Sequence, residues 1–271
     1  MLRKDVNSFP RITKESRGHS PKFWIIDGSK KLVKYNTNPY EDGDVMEMLA
    51  SEILDVLNIK HVNVELGYDS NKKRLEQIDA INQNCAMVES YMTEEGDVSF
   101  ELINNIPIST SSTNEKQIRN NLFKIHKLFQ DLPGNTTLND AQMFKDYLKI
   151  VLGDCVLDNI DRKISNIGVI YNEKQRQYRL APSFDNALSF HSCIDDENPS
   201  LVCIGKQYYP AVEVIKFIKE HYSESAESIL EHISELEKCK DDILDKYSKE
   251  IKPKKLILIN KRLNNAIKEL K

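Results

Sequence analysis

The chain has 271 residues and a formal net charge of −4, with 40% hydrophobic and 30% charged residues. This length can bury a substantial core and suffices for one large domain or two small ones. Nine glycines and nine prolines exclude a fibrous or low-complexity class. The negative charge offers no general attraction to nucleic acids or anionic membranes, so a nucleic-acid partner is not expected.

Cysteine spacing and hydropathy bear on the compartment in which the protein acts. The five cysteines are widely spaced and contain no Cys-x-x-Cys pair, so neither a disulfide framework nor a zinc site is expected. The amino terminus lacks the apolar run of a signal peptide, and no segment approaches the ~20 apolar residues of a membrane span. We therefore expect a cytoplasmic protein that makes no membrane contact, with export by a leaderless route left open.

The first third of the chain is predicted to be rich in strands. Residues 22–36 are rich in β-branched and aromatic residues on both sides of a turn at 27–29, which predicts a β-hairpin. An acidic helix start at 41–44 precedes apolar residues at helical spacing. Alternation near 62–66 and an apolar run at 86–91 predict two more strands.

The rest of the chain is predicted to be mostly helical. Helices are expected over 115–131 and 140–157, a hairpin over 167–181, and three or four amphipathic helices from 211 to the end, of which the last is basic. This order predicts a small β-rich lobe over 1–92 and a larger helical lobe over 93–271. A ligand would bind in the cleft between them.

Three polar residues follow the second predicted helix at a suggestive spacing. Asp161 and Asn166 stand five positions apart, and Asp185 follows the predicted hairpin. In ATP-dependent kinases one Asp accepts the proton of the attacking hydroxyl, and an Asn and a later Asp hold magnesium. About one Asp-x4-Asn pair is expected by chance in a chain this rich in Asp and Asn, so the context has to carry the interpretation.

Two segments around these residues resemble a known family. Residues 159–168 read Asn-Ile-Asp-Arg-Lys-Ile-Ser-Asn-Ile-Gly and resemble the N-x-D-R-H-x-x-N-x-G motif of HipA-like serine/threonine kinases. Residues 180–186 read Leu-Ala-Pro-Ser-Phe-Asp-Asn and resemble the family's L-x-P-x-[FY]-D-x segment. The length suggests the shorter, CtkA-type members. Lys163 stands where the family has His, which puts the rate and the metal geometry in question.

The resemblance implies an α+β, two-lobed protein-kinase-like fold with ATP as substrate and Mg²⁺ as cofactor. Asp161 would position the hydroxyl nucleophile and take its proton, and Asn166 and Asp185 would be the metal ligands. The alternative for each of the three is an ordinary capping or turn residue, a common role for Asp and Asn.

The same resemblance implies a nucleotide site in the first lobe. Lys34, within Leu-Val-Lys-Tyr, resembles the strand lysine that contacts the nucleotide phosphates. Glu47 is predicted to be its partner on the following helix, with Glu52 as the second choice. The alternative is that these residues are ordinary surface charges on a strand and a helix.

Two further parts of the nucleotide site are inferred from position rather than from residue identity. A loop over 15–21 that contains Ser20 would cover the phosphates with its backbone N–H groups. Glu89 and Tyr91, on either side of Ser90, would form the hinge between the lobes, whose backbone would bind adenine. The alternative for the loop is a plain surface turn.

Together these features predict a Mg²⁺- and ATP-dependent kinase that phosphorylates a Ser or Thr of a protein substrate. The resemblance also implies autophosphorylation, a toxin or effector role, and an antitoxin or other regulatory protein as partner. Two alternatives stay open. One is a lipid or small-molecule kinase on the same fold, and the other is a non-catalytic, pseudokinase-like binding module, which the substitution at Lys163 keeps in play.

Overall fold

The structure is a computed structural model that describes residues 1–12, 22–36, 42–77, 83–100, 102, 113–191, 193 and 198–271. Its strands are β1 (Lys4–Asp5), β2 (Arg11–Ile12), β3 (Lys22–Asp27), β4 (Ser29–Tyr35), β5 (Val64–Tyr68), β6 (Asn84–Glu89), β7 (Asp97–Phe100), β8 (Val169–Asn172), β9 (Gln177–Leu180), β10 (Leu201–Ile204) and β11 (Gln207–Pro210). Its α-helices are α1 (Gly43–Val56), α2 (Lys72–Gln77), α3 (Asn114–Gln130), α4 (Thr137–Leu157), α5 (Ala211–His221), α6 (Ser223–Lys246) and α7 (Pro253–Leu270).

The N-terminal part is built on a six-stranded sheet with the order β1-β5-β6-β4-β3-β2. The pair β1–β5 is parallel, and the other neighbours are antiparallel. The predicted hairpin over 22–36 is confirmed as β3 and β4, which pair from Lys22–Lys34 to Asp27–Ser29. Gly28 makes the turn at φ +68°, a left-handed conformation that glycine adopts without steric cost.

The two faces of this sheet have different surroundings, because successive side chains of a strand point to opposite sides. Ile25, Val33 and Tyr35 pack with Cys85 and Met87 into a small core on one face. A separate apolar cluster, which contains Ala86 and Val88, lies on the other face. Helix α1 packs against β5 and β6. Lys34 follows Val33 and therefore belongs to the second face.

Helix α4 is the centre of the C-terminal part. It packs against α3, α5, α6 and α7, and it is buried along most of its length, with Tyr147, Val151 and Leu152 at 0% exposure. Helix α1 also contacts α4, and Leu54 of α1 belongs to the same core cluster. Helix α1 therefore links the sheet to the helices of the C-terminal part, while the two apolar clusters of the sheet are separate from this core. Helix α4 ends at Leu157, and its C-cap residue Asp158 has a φ of +50°, which turns the chain away from the helix axis.

Two small sheets complete the C-terminal part. The predicted hairpin over 167–181 is confirmed as β8 and β9, and β7 joins it to make three strands. The hairpin of β10 and β11 was not predicted, nor was β7. The three helices from Ala211 onward match the prediction of three or four helices in this part of the chain.

The architecture is α+β, as expected. All strands of the large sheet end by Glu89, and β7 pairs with the C-terminal part, while the lobe boundary at residue 92 stays a prediction. None of the helices in the described ranges is long and apolar enough to cross a membrane.

Candidate active site

Lys34 joins the sheet to the C-terminal part through two ion pairs. Its Nζ lies 2.7 Å from Oε2 of Glu47 and 2.6 Å from Oδ1 of Asp185. Glu47 comes from the second turn of α1 and is only 1% exposed, whereas Asp185 follows β9. We call Lys34, Glu47 and Asp185 the charged cluster. The structure therefore brings together three of the residues that the sequence nominated.

Each member of the charged cluster has a shifted pKa. Burial lowers the pKa of Lys34, but the charges of Glu47 and Asp185 outweigh burial and hold it above its usual value. Burial raises the pKa of Glu47, and Lys34 offsets only part of that increase. Burial also raises the pKa of Asp185, yet Lys34 outweighs it and leaves the pKa below the usual value. Asp185 is thus kept ionised, the state in which a carboxylate ligates a metal.

Asp161 and Asn166 form a second small group, on the segment after α4. Nδ2 of Asn166 donates to the backbone O of Asp161 at 2.7 Å and to its Oδ2 at 3.0 Å. The Asp161 N–H in turn donates to Oδ1 of Asn159 at 3.1 Å. Because the amide nitrogen of Asn166 is oriented toward Asp161, its Oδ1 is the atom that could bind a metal.

Lys163 lies directly beside the carboxylate of Asp161. Its Nζ is 2.5 Å from Oδ1 of Asp161, and the side chain of Lys163 is 52% exposed. The hydrogen bond to Asp161 raises the pKa of Lys163, so its ammonium is charged at neutral pH. The backbone is held in place by a β-bridge to Gly205, at the turn between β10 and β11. An exposed ion pair of this kind is weak and can be exchanged for contacts with a ligand.

Arg162 connects the two groups, a role that the sequence reasoning missed. It is 1% exposed and donates to Asp154 of α4 through Nε at 2.9 Å and Nη2 at 3.0 Å. Its Nη1 donates to the backbone O of Asn166 at 3.0 Å and of Phe184 at 2.8 Å. Phe184 directly precedes Asp185, so one guanidinium holds the backbones of both predicted metal-binding segments. The sequence did contain a sign of this role, because Arg is one of the specified residues of the family motif that the segment resembles.

Gly168 allows these two segments to lie close together. A Cβ at this position would lie 2.6 Å from Cβ of Ala181 and 2.9 Å from Cε1 of Phe184. Both distances are shorter than the van der Waals contacts that Cβ atoms make in proteins. The backbone O of Gly168 accepts a hydrogen bond from Ala181 N at 2.9 Å. The spacing between β8 and the segment that carries Asp185 therefore requires a residue without a side chain.

The two predicted hinge residues, Glu89 and Tyr91, have their own partners outside the charged cluster. Oε2 of Glu89 accepts from Nδ2 of Asn63 at 2.7 Å. The ring of Tyr91 packs on Phe184 with centroids 5.1 Å apart. Their hinge role stays a prediction, and Ser20 lies outside the described residues.

Glu52, the second choice for the partner of Lys34, has a different partner. Its Oε2 is 3.0 Å from Nζ of Lys246 on α6. Glu47 and Glu52 are five positions apart and so lie on different sides of α1. The structure thus pairs Lys34 with the first choice, Glu47.

The donor atoms of this site fit a magnesium ion. Mg²⁺ prefers oxygen ligands and is commonly held by one or two protein oxygens together with phosphate oxygens and water. The ionised carboxylate of Asp185 and Oδ1 of Asn166 supply that chemistry, and Arg162 fixes the backbone of both segments. An ammonium at Lys34 suits the phosphates of a nucleotide.

No protein-family model and no curated protein sequence matches the chain. Many solved structures are similar to it in fold, and two of them are described here. The proinflammatory kinase CtkA of Helicobacter pylori has a TM-score of 0.61 and 13% identity, over 99% of this chain and 96% of that one. HipA of Shewanella oneidensis MR-1, in a complex with HipB and its operator DNA, has a TM-score of 0.58 and 11% identity, over 96% of this chain and 65% of that one. This similarity confirms the expected resemblance at the level of fold: the chain has the kinase fold of CtkA and HipA.

Proposed function

We propose that the protein is a Mg²⁺- and ATP-dependent protein kinase that transfers the γ-phosphoryl group to a Ser or Thr hydroxyl. The observation that carries the proposal is the charged cluster, in which Lys34 bridges Glu47 and Asp185. Arg162 ties that cluster to the segment of Asp161 and Asn166. The similarity in fold to CtkA and HipA supports a kinase, at identities too low to carry over a substrate.

Each group has a defined task in this proposal. The carboxylate of Asp161 orients the attacking hydroxyl and accepts its proton. Lys34 binds phosphate oxygens of ATP, and Glu47 holds Lys34 in position. Asn166 and Asp185 hold Mg²⁺, which when bound neutralises charge on the phosphates. Catalysis on this arrangement is chiefly positioning and electrostatic stabilisation of an in-line transfer.

A regulatory partner is part of the proposal by analogy. The HipA structure is a complex of HipA with HipB and operator DNA. We propose that this chain has an antitoxin-like or other regulatory protein partner, a protein substrate that bears Ser or Thr, and a toxin or effector role. Autophosphorylation would follow from the same chemistry acting on a hydroxyl of the chain itself.

A second candidate function is a nucleotide-binding module without phosphoryl transfer. The observation that favours it is the ion pair between Lys163 and Asp161, because it occupies an oxygen that would have to accept the proton of the nucleophile. A lipid or small-molecule kinase would use the same groups on the same fold.

The test is incubation of the full chain with Mg²⁺ and ATP, followed by intact mass and by a thermal shift measured with and without Mg²⁺. A kinase should be stabilised by Mg²⁺-ATP and should transfer phosphate to itself or to a generic Ser/Thr protein acceptor. Stabilisation without any transfer would support the binding module. Absence of any shift and of any transfer would contradict both.

A further inference from the structure

A second lysine faces the charged cluster from the neighbouring strand. Lys22 on β3 is paired in register with Lys34 on β4. Residues directly opposite each other in an antiparallel pair project from the same face, with Cβ atoms about 4.5–5.5 Å apart. The side chains of Lys22 and Lys34 therefore project side by side from the sheet, on the face that is turned toward Glu47 and Asp185.

The formal charges of the cluster show why a second cation matters there. Lys34 is flanked by Glu47 and Asp185, so two carboxylates against a single ammonium leave one negative charge in excess. A polyphosphate that approaches this group meets net repulsion, and the repulsion is stronger in a partly buried site than in water. Without a bound metal ion, Lys34 alone does not offset both carboxylates. One more ammonium on the same face removes the excess.

The surroundings of Lys22 agree with this placement. Lys22 is partly buried, and burial lowers its pKa. Asp185 raises that pKa, and Lys34 lowers it further. Both groups thus act electrostatically on Lys22, as expected for an ammonium that shares their face of the sheet.

We propose that Lys22 binds the phosphate groups of a nucleotide together with Lys34, so that a pair of lysines from adjacent strands forms the phosphate site. The inference rests on the proposed function, because it names a further binding residue of the same site. Mg²⁺ at Asp185 and the ammonium of Lys22 would together offset the carboxylates, and the phosphates could then contact both lysines.

The proposal is tested by calorimetric titration of the full chain with Mg²⁺-ADP and, separately, with adenosine, which has no phosphate. We expect Lys22→Gln to weaken binding of Mg²⁺-ADP by about tenfold, the typical effect of one charge-assisted hydrogen bond. Adenosine affinity should stay unchanged, and Lys22→Arg should retain most of the affinity for Mg²⁺-ADP.

Lys30→Gln is the matched control. Lys30 lies on the same strand and the same face as Lys34 but four residues away, about 13 Å along β4. It pairs with Ile26, near the turn of the hairpin. Its loss should leave the affinity for Mg²⁺-ADP unchanged if position, and not overall charge, is what matters.

The outcomes separate the two proposals. If wild type binds Mg²⁺-ADP and Lys22→Gln binds it equally well, the role of Lys22 is overturned and the kinase proposal stands. Equal losses for ADP and adenosine would also overturn it, because they would indicate a structural effect. If wild type binds neither ligand, the proposed function itself fails. Should Lys22→Gln be less stable, the ratio of its ADP and adenosine affinities still reports on the phosphate contact.

Discussion

Lys34 and Asp185 are 151 positions apart in the sequence, yet their Nζ and Oδ1 atoms lie within 2.6 Å. This contact joins β4 of the sheet to the segment that follows β9. It brings the predicted phosphate-binding residue into direct contact with a predicted metal ligand.

Replacing Lys34 by Met should lower phosphoryl transfer by at least about a hundredfold, because preorganised charge is a large part of catalysis at such sites. The substitution would also leave the carboxylates of Glu47 and Asp185 facing each other without a cation. Lys60→Met, which changes an exposed lysine, is the control and should match wild type. The measurement is phosphate incorporation by intact mass, together with thermal denaturation of both variants. Transfer by Lys34→Met at the wild-type rate would remove Lys34 from the site.

Replacing Asp161 by Asn should abolish transfer and spare the fold. The change is nearly isosteric, and Asn keeps an oxygen that can accept the hydrogen bond from Asn166. Loss of the proton acceptor is expected to lower the rate by about 10²- to 10⁴-fold. Phosphate incorporation checks the rate and circular dichroism checks the fold, with Asp131→Asn on an exposed aspartate as control. A variant as active as wild type would eliminate Asp161 as the base.

Lys163→Ala should separate activity from stability. The side chain of Lys163 in this ion pair is half exposed, so its loss should change the free energy of unfolding by less than about 1 kcal/mol. A cation next to Asp161 is also close to the site where phosphate charge is transferred, so we expect kcat to fall by about tenfold. Urea unfolding and phosphate incorporation measure the two effects. A rise in kcat would show instead that Lys163 restrains Asp161, as the binding-module alternative implies.

Arg162 is expected to be the residue of the segment from Asn159 to Gly168 whose replacement lowers the stability most. Arg162→Met would leave the buried carboxylate of Asp154 without its cation, which costs about 3–5 kcal/mol in comparable buried pairs. Urea denaturation followed by circular dichroism measures the loss. The double variant Arg162→Met with Asp154→Leu should recover part of it, because no buried charge is then left unpaired. A single variant as stable as wild type would contradict the central role of Arg162.

Asp69 makes part of the stability depend on pH. Its carboxylate accepts hydrogen bonds from Tyr35 Oη at 2.6 Å and from Arg74 Nε at 2.5 Å. Burial alone would raise its pKa, but the bonds from Arg74, Tyr35 and Asn7 lower it to about 2. The pKa of Asp69 in the folded protein is therefore lower than the value of about 3.9 in the unfolded chain. The ionised carboxylate stabilises the fold fully at a pH well above about 3.9, and this stabilisation is lost as the pH falls toward about 2.

Comparing wild type with Asp69→Asn tests this dependence. The variant should be less stable at about pH 7, where the ionised carboxylate contributes fully, and the difference should shrink between about pH 4 and pH 2. Urea unfolding at several pH values gives both curves. A difference that stays constant over this range would mean that the ionised form of Asp69 contributes nothing specific.

The sequence anticipated those parts of the structure that depend on local patterns. The hairpin of β3 and β4 follows from strand-forming residues on both sides of Gly28, and helix α4 follows from its apolar spacing. Positions 22 and 34 are equidistant from Gly28, so even the pairing of Lys22 with Lys34 could have been read from the turn. The family resemblance points to a single strand lysine, Lys34, and carries no sign of a second.

The missed features depend on contacts between distant segments. The sequence ranks Glu47 ahead of Glu52 as the partner of Lys34, but it gives no sign that Glu52 pairs instead with Lys246, nearly two hundred positions later. The role of Arg162 depends on where Asp154 and Phe184 lie in space. The hairpin of β10 and β11 has strands of only four residues, too short to give a clear alternating pattern.

Gly168 has a consequence for how this site can vary. Even the smallest side chain at this position would collide with Ala181 and Phe184, and Phe184 directly precedes Asp185. A substitution there would displace the segment that carries Asp185, the proposed metal ligand, without touching a charged group. Inactive variants selected at random should therefore include changes at Gly168 that leave every polar residue of the site in place.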